Sequence, residues 1–535
     1  MAQITISRRG LLLGAGVLAT GSPCQGTAAP FGHSFDLRRL KVYQLRERRA
    51  SYHAVQPFPA PLNNGDETRF PNYLAAFSKT LPHNDLGEPD KASYEAFLKA
   101  VESGRLEDFE MVPSGGPAKL VNPLAASAFE MEGADPQQFF CPPPAAFDSA
   151  GFAGEMAELY WQSLTRDIAF SDYASSNLIR EAAEELSELS GFPGSRIAGK
   201  ITPDTIFRGP MMGDSTGPYI SQFLWKDIPY GTTPLAQIYR TAESGVDYLT
   251  VFGEWLNLQR GIPPSAPMRF APARRYIMTG RDLAAYVWLD FSFQAFLNAA
   301  LVLNSFGGAA IEESNPYRTL KRQAAFATFG GPMILDLVAR AANAALRSIW
   351  YQKWAIHRRI RPEAAAGRLH NLKTGKAAYP LHKDLTESQA VDMTFRNNGT
   401  FLLPQVYSEG SPVHPSFAAG HAGIAGACVT MLKAFFQGSV EVPNPVLPIL
   451  DGSALLPYSG PPLTIGGELD KLASNVSIGR HWAGIHYWSD GVESMKIGEQ
   501  VAIGILGDLI DSFPEEFGGF RFTRFDGTRV SITGR

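Results

Sequence analysis

The sequence predicts a mainly α protein with a helical-bundle core and a small β-hairpin at its C-terminal end. Residues 281–304 form a helical pattern that is apolar nearly all round, as expected for a helix in the middle of a bundle. Other strong helical patterns cover residues 153–190, 332–361, 418–437 and 485–511. Near the end of the chain, FRFTRFDGTRVSI alternates polar and apolar residues around Asp526-Gly527, which predicts the hairpin.

Length and composition narrow the possible function classes. A chain of 535 residues is too long for one simple core, so two or three structural units are expected. The hydrophobic fraction of 45% argues against a disordered chain, and the net charge of −4 argues against a nucleic-acid partner. No apolar run reaches the length of about 18 residues that a membrane span needs. Any anion site must therefore be local.

The N-terminal segment is typical of an export signal. Arg8 and Arg9 precede an apolar stretch, and small residues follow around Ala28. This order resembles a secretory signal of the twin-arginine type, which predicts a location in the bacterial periplasm or outside the cell. The alternative is a chance arginine pair before a buried helix. A lipoprotein signal at Cys24 is disfavoured by Pro23.

The rest of the chain divides by composition and periodicity. After an export signal at 1–28 we expect a loop-rich N-terminal arm (29–150), an N-terminal helical region (151–280), a helical-bundle domain (281–512) and the hairpin (513–535). Cys141 and Cys428 are predicted to be free thiols, because no disulfide framework is indicated.

The helix predicted for 332–361 has a lysine on its apolar stripe. Lys353 follows Ile349 by four residues, in a row of apolar side chains spaced by three and four. A buried ammonium group is costly unless an anion or a carboxylate meets it. On this helix alone, a lysine that snorkels to solvent is the favoured alternative. Arg361-Pro362 marks the expected end of the helix.

The segment SPVHPSFAAGHAGIAGA, residues 411–427, places Gly420 and His421 at the start of the next helix. A helix N-terminus offers free N–H groups and a positive dipole end, and glycine lets a ligand approach the backbone closely. This pattern predicts an anion site. The alternatives are that His421 is an ordinary core histidine near a cap and that His414 is a surface loop residue.

The last helix places His486 and Asp490 on one face, four residues apart. A carboxylate beside an imidazole fixes its tautomer and raises its basicity, which suits a nucleophile or a metal ligand. Arg480 precedes this helix, and His481 is expected to be a bystander. Together with Lys353 and Arg361, these residues predict a pocket for a tetrahedral oxyanion such as phosphate or vanadate.

These residues resemble a known three-part motif. The blocks WYQKWAIHRRIRPEA, SEGSPVHPSFAAGHA and GRHWAGIHYWSDG are similar to the motif shared by vanadium-dependent haloperoxidases and the phosphatidic-acid-phosphatase type 2 acid phosphatases. The likeness is greater to the bromoperoxidases of red algae and their bacterial relatives. The resemblance implies the helical bundle of that superfamily and a vanadate cofactor.

The resemblance also implies roles for individual residues. His486 would be the vanadium ligand, with Asp490 beside it, and His421 would take a proton from hydrogen peroxide. The groups that would hold the vanadate oxygens are Lys353, Arg361, Arg480 and the amide of Gly420. Lys353 would also polarise the bound peroxide for attack by halide. His414 matches a histidine of the brominating enzymes, which favours bromide over chloride.

By the same resemblance, the partners would be hydrogen peroxide, halide and small organic acceptors, and the chain would form a homo-oligomer. Structural calcium is a further possibility in that group. One residue departs from the family pattern: Ala419 stands where serine usually precedes Gly420. The loss of that hydroxyl removes a hydrogen bond worth on the order of 1.5 to 3 kcal/mol.

Two other functions stay open on the sequence. An exported acid phosphatase would use His486 as its nucleophile, oriented by Asp490, with His421 as the general acid. A periplasmic oxyanion-binding protein without turnover is the other, with Ala419 as a sign of reduced chemistry.

Overall fold

A computed structural model describes residues 35–534. The chain divides after Ala50 into two compact units, and the site lies within the unit that begins at Ser51. The predicted export signal at 1–28, with Cys24, lies outside the described residues. The domain boundaries expected at 150, 280 and 512 stay predictions.

The fold is mainly helical, as predicted. The α-helices are α1 (Phe35–Ala54), α2 (Asp66–Arg69), α3 (Lys91–Ser103), α4 (Leu106–Glu110), α5 (Ala150–Thr165), α6 (Asn177–Glu188), α7 (Phe252–Gln259), α8 (Gly280–Leu289), α9 (Gln294–Ser305), α10 (Gly331–Tyr351), α11 (Pro362–Lys373), α12 (Lys383–Thr386), α13 (Gln389–Asn398), α14 (Gly420–Phe435), α15 (Ile465–Trp482) and α16 (Trp488–Leu509). The strands are β1 (Ile228–Tyr230), β2 (Thr233–Leu235), β3 (Val446–Pro448), β4 (Leu455–Pro457), β5 (Phe520–Thr523) and β6 (Arg529–Ile532).

The strands form three antiparallel two-stranded hairpins, β1 with β2, β3 with β4, and β5 with β6. The last is the predicted C-terminal hairpin, in which Phe520 pairs with Ile532 and Thr523 with Arg529. Gly527 adopts a φ of 80° in its turn, a conformation that favours glycine. The hairpin prediction is confirmed.

Helix α14 is the centre of the bundle and packs against α10, α15 and α16. Every residue of α14 other than His421 is buried. Glycines allow the close approach of α14 and α16, since a Cβ at Gly426 would lie 2.1 Å from the Met495 carbonyl oxygen, and one at Gly498 would lie 2.0 Å from that of Gly423. The first turn of α14 is therefore held in place by backbone-to-backbone packing.

The single helix predicted for 281–304 is wrong. The chain forms α8 and α9, which meet at an angle of 97°. Asp290 leaves the helix with extended dihedrals of φ −66° and ψ 149°. Its carboxylate lies beside His421 instead, and this tertiary contact stabilises the bend. The polar residue interrupts an otherwise apolar helical pattern.

The helix predicted for 332–361 also ends earlier than expected. After α10 the chain continues as a π-helix at Gln352–His357, and Arg358 is left-handed with a φ of 37°. The Arg358 guanidinium donates to the carbonyls of Trp354 and Ala355 and so caps the end of this turn. Pro362 then occupies the first turn of α11, a position that suits proline.

Other helices also differ from the predicted ones in where they begin and end. The pattern at 153–190 is two helices, α5 and α6, and the last bundle helix begins at Trp488 rather than 485. Helix α15 was not predicted, because its buried face carries charged residues such as Glu468 and Lys471, which pair at 2.6 Å. Helices α1 and α3 lie in the segment expected to be loop-rich.

Cys141 and Cys428 are free and buried, as predicted. Among residues 35–534, no single helix is long and apolar enough to cross a membrane, although the bent pair α8 and α9 meets that requirement jointly.

Candidate functional site

The predicted site residues come from helix ends and loops that meet in the bundle core. They lie on the π-helix and the segment after it, the loop 411–419, the first turn of α14, the last turn of α15 and the start of α16. The buried members of this group are Lys353, Arg361, His414, Arg480, His486 and Asp490.

Lys353 is fully buried, with 0% of its surface exposed. Its Nζ donates to the carbonyl oxygens of Pro415 at 2.6 Å and Ser416 at 2.9 Å. The snorkelling alternative is therefore wrong, because these loop carbonyls accept from the ammonium group inside the core. Burial lowers the pKa of Lys353 well below its ordinary value, and the Arg361 guanidinium lowers it further.

Arg361 joins the loop 411–419 to the segment before α16. Its guanidinium donates to the carbonyl oxygens of His414 and Ile485, both at 2.8 Å, and to His414 Nδ1, also at 2.8 Å. Burial lowers the pKa of Arg361 to about 9. Two backbone carbonyls and His414 thus hold the guanidinium, and its Nη1 also lies 3.1 Å from His486 Nε2.

His414 is buried, so the interpretation of this residue as a surface loop histidine is wrong. Its ring lies 4.9 Å from the ring of Trp350. His414 Nδ1 lies 2.8 Å from Arg361 Nη2 and 3.2 Å from the Pro415 carbonyl oxygen. Because a guanidinium only donates, the shorter contact makes Nδ1 an acceptor and places the ring hydrogen on Nε2. Burial lowers the pKa of His414 well below its ordinary value, as do Lys353 and Arg361, so the ring is neutral.

His486 and Asp490 are in contact, as the spacing predicted, although His486 lies just before α16 rather than within it. His486 Nδ1 donates to Asp490 Oδ2 at 2.9 Å, while Nε2 lies 3.1 Å from Arg361 Nη1 and accepts from it. The lone pair of Nε2 therefore points towards the cationic side chains. Burial lowers the pKa of His486 well below its ordinary value, and the charge of Arg361 adds to this.

Besides His486, Asp490 has two further partners, Arg359 and Ser416, that the sequence did not predict. Arg359 Nη1 donates to Asp490 Oδ1 at 2.7 Å, and Ser416 Oγ donates to Oδ2. Burial opposes ionisation of this carboxyl group, but Arg359 and His486 outweigh it, so the pKa of Asp490 lies below its usual range. The signal in the sequence that could have indicated Arg359 is the run HRRIRPEA, where Arg359 stands two residues before Arg361.

Arg480 lies in the last turn of α15, where its Nη1 donates to the Val287 carbonyl at 2.7 Å and to the Tyr407 hydroxyl at 3.3 Å. Its Nε is buried and has no hydrogen-bond partner within the described part of the chain. Its charge lowers the pKa of both Lys353 and Arg361, so it lies within electrostatic range of them. This buried donor beside Lys353 and Arg361 is available to a ligand.

Gly420 is the first residue of α14, after Ala419 at the cap. No side chain of the described residues caps this helix end, and the Ala419 N–H donates to Ser494 Oγ at 2.7 Å. The N–H groups of a first turn lack carbonyl partners within the helix, so they are available to an anion. A Cβ at Gly420 would lie 3.3 Å from the Trp350 ring, so the packing also favours glycine.

His421 lies at the rim of this group, with 23% of its side chain exposed. Its Nε2 is 3.0 Å from Asp290 Oδ1, and the Asp290 side chain is 2% exposed. The interpretation of His421 as an ordinary core histidine is therefore not supported. Asp290 was missed in the sequence, although it is an isolated acid in the apolar run VWLDFSF.

The arrangement concentrates positive charge. Lys353, Arg361 and Arg480 meet in the core, and Asp490 is the carboxylate whose charge acts on Lys353 and Arg361. Their donors, with the first-turn amides of α14, suit the oxygens of a tetrahedral anion. The Nε2 lone pair of His486 adds a ligand for a metal atom at the centre of such an anion, or a nucleophile for its phosphorus.

Comparisons with known proteins agree with this geometry. A family model described as the VCPO second helical-bundle domain matches residues 333–510. A vanadium-dependent bromoperoxidase from Ascophyllum nodosum is 35% identical over 497 residues, covering 88% of this chain and 88% of the relative. A vanadium-dependent bromoperoxidase from Corallina pilulifera is 34% identical over 550 residues, covering 86% of this chain and 91% of the relative.

A solved structure shows the same fold across nearly the whole chain. It is the homohexameric structure of the second vanadate-dependent bromoperoxidase from Ascophyllum nodosum, with a TM-score of 0.91 and 30% sequence identity. The match covers 97% of this chain and 94% of that one.

The site geometry predicts that a tetrahedral oxyanion stabilises the folded protein. Orthovanadate at about 100 times its dissociation constant should add about 2.7 kcal/mol to the free energy of unfolding, seen as a higher thermal midpoint. Lys353→Met removes one charge-assisted donor and should weaken the affinity roughly 10- to 100-fold. Lys433→Met is the matched control, because Lys433 is also buried but pairs with Asp470 near the other end of α14. An orthovanadate effect that is equal in both variants would contradict this assignment.

Proposed function

The chain belongs to the vanadium-dependent haloperoxidases of the bromoperoxidase type, and we propose that it uses vanadate and hydrogen peroxide to oxidise halide, with bromide favoured, to hypohalous acid. Small organic acceptors are then halogenated. The observation that carries the proposal is the buried cationic cluster that faces the Nε2 lone pair of His486. The identity of about 35% over most of the chain supports the same function.

The residues present fit vanadate. The buried Nε of Arg480, without a partner among the described residues, offers a donor to an oxyanion. The residues that would hold the vanadate oxygens are Lys353, Arg361, Arg480 and the amide of Gly420, and His486 Nε2 would bind the metal. Bound vanadate supplies a Lewis acid that activates peroxide without a change in its own oxidation state.

The protein's own part in the reaction is proton transfer and charge placement. His421 is partly exposed, so it is accessible to hydrogen peroxide and takes its proton. Asp290 lies 3.0 Å from His421 Nε2, orients the ring and stabilises it when it is protonated. Lys353 keeps its ammonium group fixed between loop carbonyls, so its charge would polarise peroxide at this site without rearrangement of the side chain.

His414 lies beside the cluster rather than at its centre. Its buried, neutral ring packs at a tilt of 47° against the Trp350 ring and accepts from Arg361. We assign to it the preference for bromide over chloride, by its match to the histidine of the brominating enzymes. Ala419 offers no hydroxyl, and the nearby Ser416 does not replace it, because the Ser416 hydroxyl donates to Asp490.

The function is tested by bromination of a phenol dye with peroxide and bromide, before and after the metal-free protein is loaded with orthovanadate. Activity should appear only with vanadate and should be lost in His486→Ala. Hydrolysis of a phosphate ester that vanadate inhibits, with no bromination, would assign acid phosphatase chemistry to the same pocket instead. Tight anion binding with neither activity would indicate an oxyanion-binding protein.

Structural calcium stays an untested prediction. Among the described residues there is no group of three or more His, Cys, Asp or Glu side chains that could hold a metal ion. A calcium ion would therefore rely on backbone and amide oxygens for most of its ligands. Elemental analysis of the purified protein tests for calcium as a structural ion and, separately, for vanadium as the cofactor.

We also propose that the protein is exported to the periplasm or the cell exterior. The support is the order of residues 1–28, with Arg8-Arg9 before an apolar stretch and small residues. Arg8→Lys with Arg9→Lys should retain the precursor in the cytoplasm, because the twin-arginine pathway reads the arginine pair. N-terminal sequencing of the native protein is the check, and a chain that still begins at Met1 in the cytoplasmic fraction would contradict export.

A homo-oligomer is the proposed assembly. The similar Ascophyllum nodosum structure is homohexameric, and exposed apolar side chains such as Phe129 and Met131 offer surface for subunit contact. Light scattering on the mature protein should give a multiple of the chain mass. A monomer at micromolar concentration would contradict this assembly.

A further inference from the structure

Arg359 lies directly behind the His486–Asp490 pair and is almost fully buried, with 4% exposure. Its Nη1 donates to Asp490 Oδ1 at 2.7 Å and to Ser489 Oγ at 3.0 Å. The Asp490 Oδ2 atom is used by other donors, namely His486 Nδ1, Ser416 Oγ and the Tyr487 N–H. Arg359 therefore holds the oxygen of Asp490 that faces away from His486.

A second carboxylate keeps Arg359 in place from the opposite side. Arg359 Nη2 donates to Glu155 Oε2 at 2.7 Å, and both side chains are 2% exposed. The other oxygen of Glu155 accepts from the Ser489 N–H at 2.6 Å. Glu155 on α5 and Asp490 on α16 are thus connected through one guanidinium group, whose planar fork suits two acceptors in fixed directions.

Arg359 is also held by an aromatic contact of its guanidinium and by a hydrogen bond to its backbone carbonyl. The guanidinium lies 3.8 Å from the centre of the Tyr487 ring, the residue that follows His486. The Arg359 carbonyl accepts from the Ser416 N–H at 3.1 Å. Ser416 is in turn one of the residues whose carbonyls hold Lys353. Arg359 therefore contacts both the loop whose carbonyls hold the Lys353 ammonium group and the segment that carries His486.

The two carboxylates beside Arg359 explain why a cation is needed at this position. Asp490 and Glu155 are both buried, and two ionised carboxylates in the core are costly without a shared partner. Without Arg359, Asp490 would lose its charged partner on Oδ1 and could rotate away from His486 Nδ1. The His486 ring would then lose the contact that fixes its tautomer and directs Nε2 into the cationic cluster.

We propose that Arg359 is a positioning residue for the vanadium ligand, acting through Asp490 to hold the His486 ring in the orientation that binds vanadate. This inference rests on the proposed function, since it assigns His486 Nε2 to the metal. Arg359 is expected to act through Asp490 rather than on the vanadate, because its Nη1 and Nη2 donate to Asp490, Glu155 and Ser489 on the side of Asp490 away from His486, while its Nε is buried with no hydrogen-bond partner among the described residues.

The test is orthovanadate binding to the metal-free full-length protein, measured by calorimetry. Arg359→Met should weaken the affinity about 10- to 100-fold, as expected when a group that orients a metal-binding histidine is removed. Arg281→Met is the matched control: this arginine is also buried and bridges two carboxylates, Asp167 at 2.7 Å and Asp247 at 2.9 Å, away from Asp490. It should lower the thermal midpoint while leaving the vanadate affinity close to that of the wild type.

A double-mutant cycle separates positioning from a general effect of charge. If Arg359 acts through Asp490, Arg359→Met should cause little further loss of affinity in an Asp490→Asn background. Losses that multiply would overturn the proposal.

Arg359→Lys keeps the charge but cannot donate to both carboxylates in the same fork geometry, so its affinity should stay weakened. Full affinity in Arg359→Lys would show that charge alone matters and would also overturn it.

The outcomes distinguish this inference from the proposed function. A wild-type protein that binds no orthovanadate contradicts the function itself, whereas wild-type binding with an unchanged Arg359→Met contradicts only the role of Arg359. Should Arg359→Met fail to fold, Arg359→Lys and Glu155→Gln carry the test. Glu155→Gln removes one of the two carboxylates that anchor Arg359 and should weaken binding in the same direction, and wild-type affinity in both variants would overturn the proposal.

Discussion

The burial of three cations around a single histidine lone pair is the constraint on which the rest of the site depends. Lys353, Arg361 and Arg480 are all removed from water, and each lowers the pKa of a neighbour through its charge. Such a cluster is costly unless fixed acceptors or a bound anion meet its donors. The loop 411–419 supplies several of those acceptors through its backbone carbonyls.

This requirement explains why the site is built at helix ends rather than along helix faces. Free carbonyls and free N–H groups occur where helices begin and end, and loops expose both. The first turn of α14 and the start of α16 face each other because glycines let these helices approach to backbone contact. Rigid packing at the centre of the bundle thus holds the charged side chains in fixed positions near the first turn of α14.

Acidic residues complete the site in two separate places. Asp290 meets His421 at the rim, where the His421 side chain is partly exposed to solvent. Asp490, Arg359 and Glu155 lie behind His486, where the side chains are 0% to 2% exposed. The first pair suits acid–base chemistry, and the second suits the fixed orientation of a metal ligand. Burial therefore distinguishes the two pairs, since His421 is partly exposed whereas His486 and Asp490 are both buried.

The sequence by itself determined the helical class, the C-terminal hairpin and the residue types of the site, because these depend on periodicity and on short-range spacing. The contact of His486 with Asp490 follows from a separation of four residues, and it is present. The sequence did not determine whether Lys353 is buried or exposed, since one helix does not reveal what lies opposite it.

Only the tertiary structure brought Asp290 to His421 and Arg359 to Asp490, over separations of 131 residues in both cases. The same contacts decided where helices break. Asp290 interrupts an apolar pattern because its carboxylate meets a partner on α14, and the π-helix and left-handed Arg358 redirect the chain so that Arg359 and Arg361 turn into the core. Long-range pairing of buried charges outweighs local helix propensity at these positions, and local patterns carry no information about it.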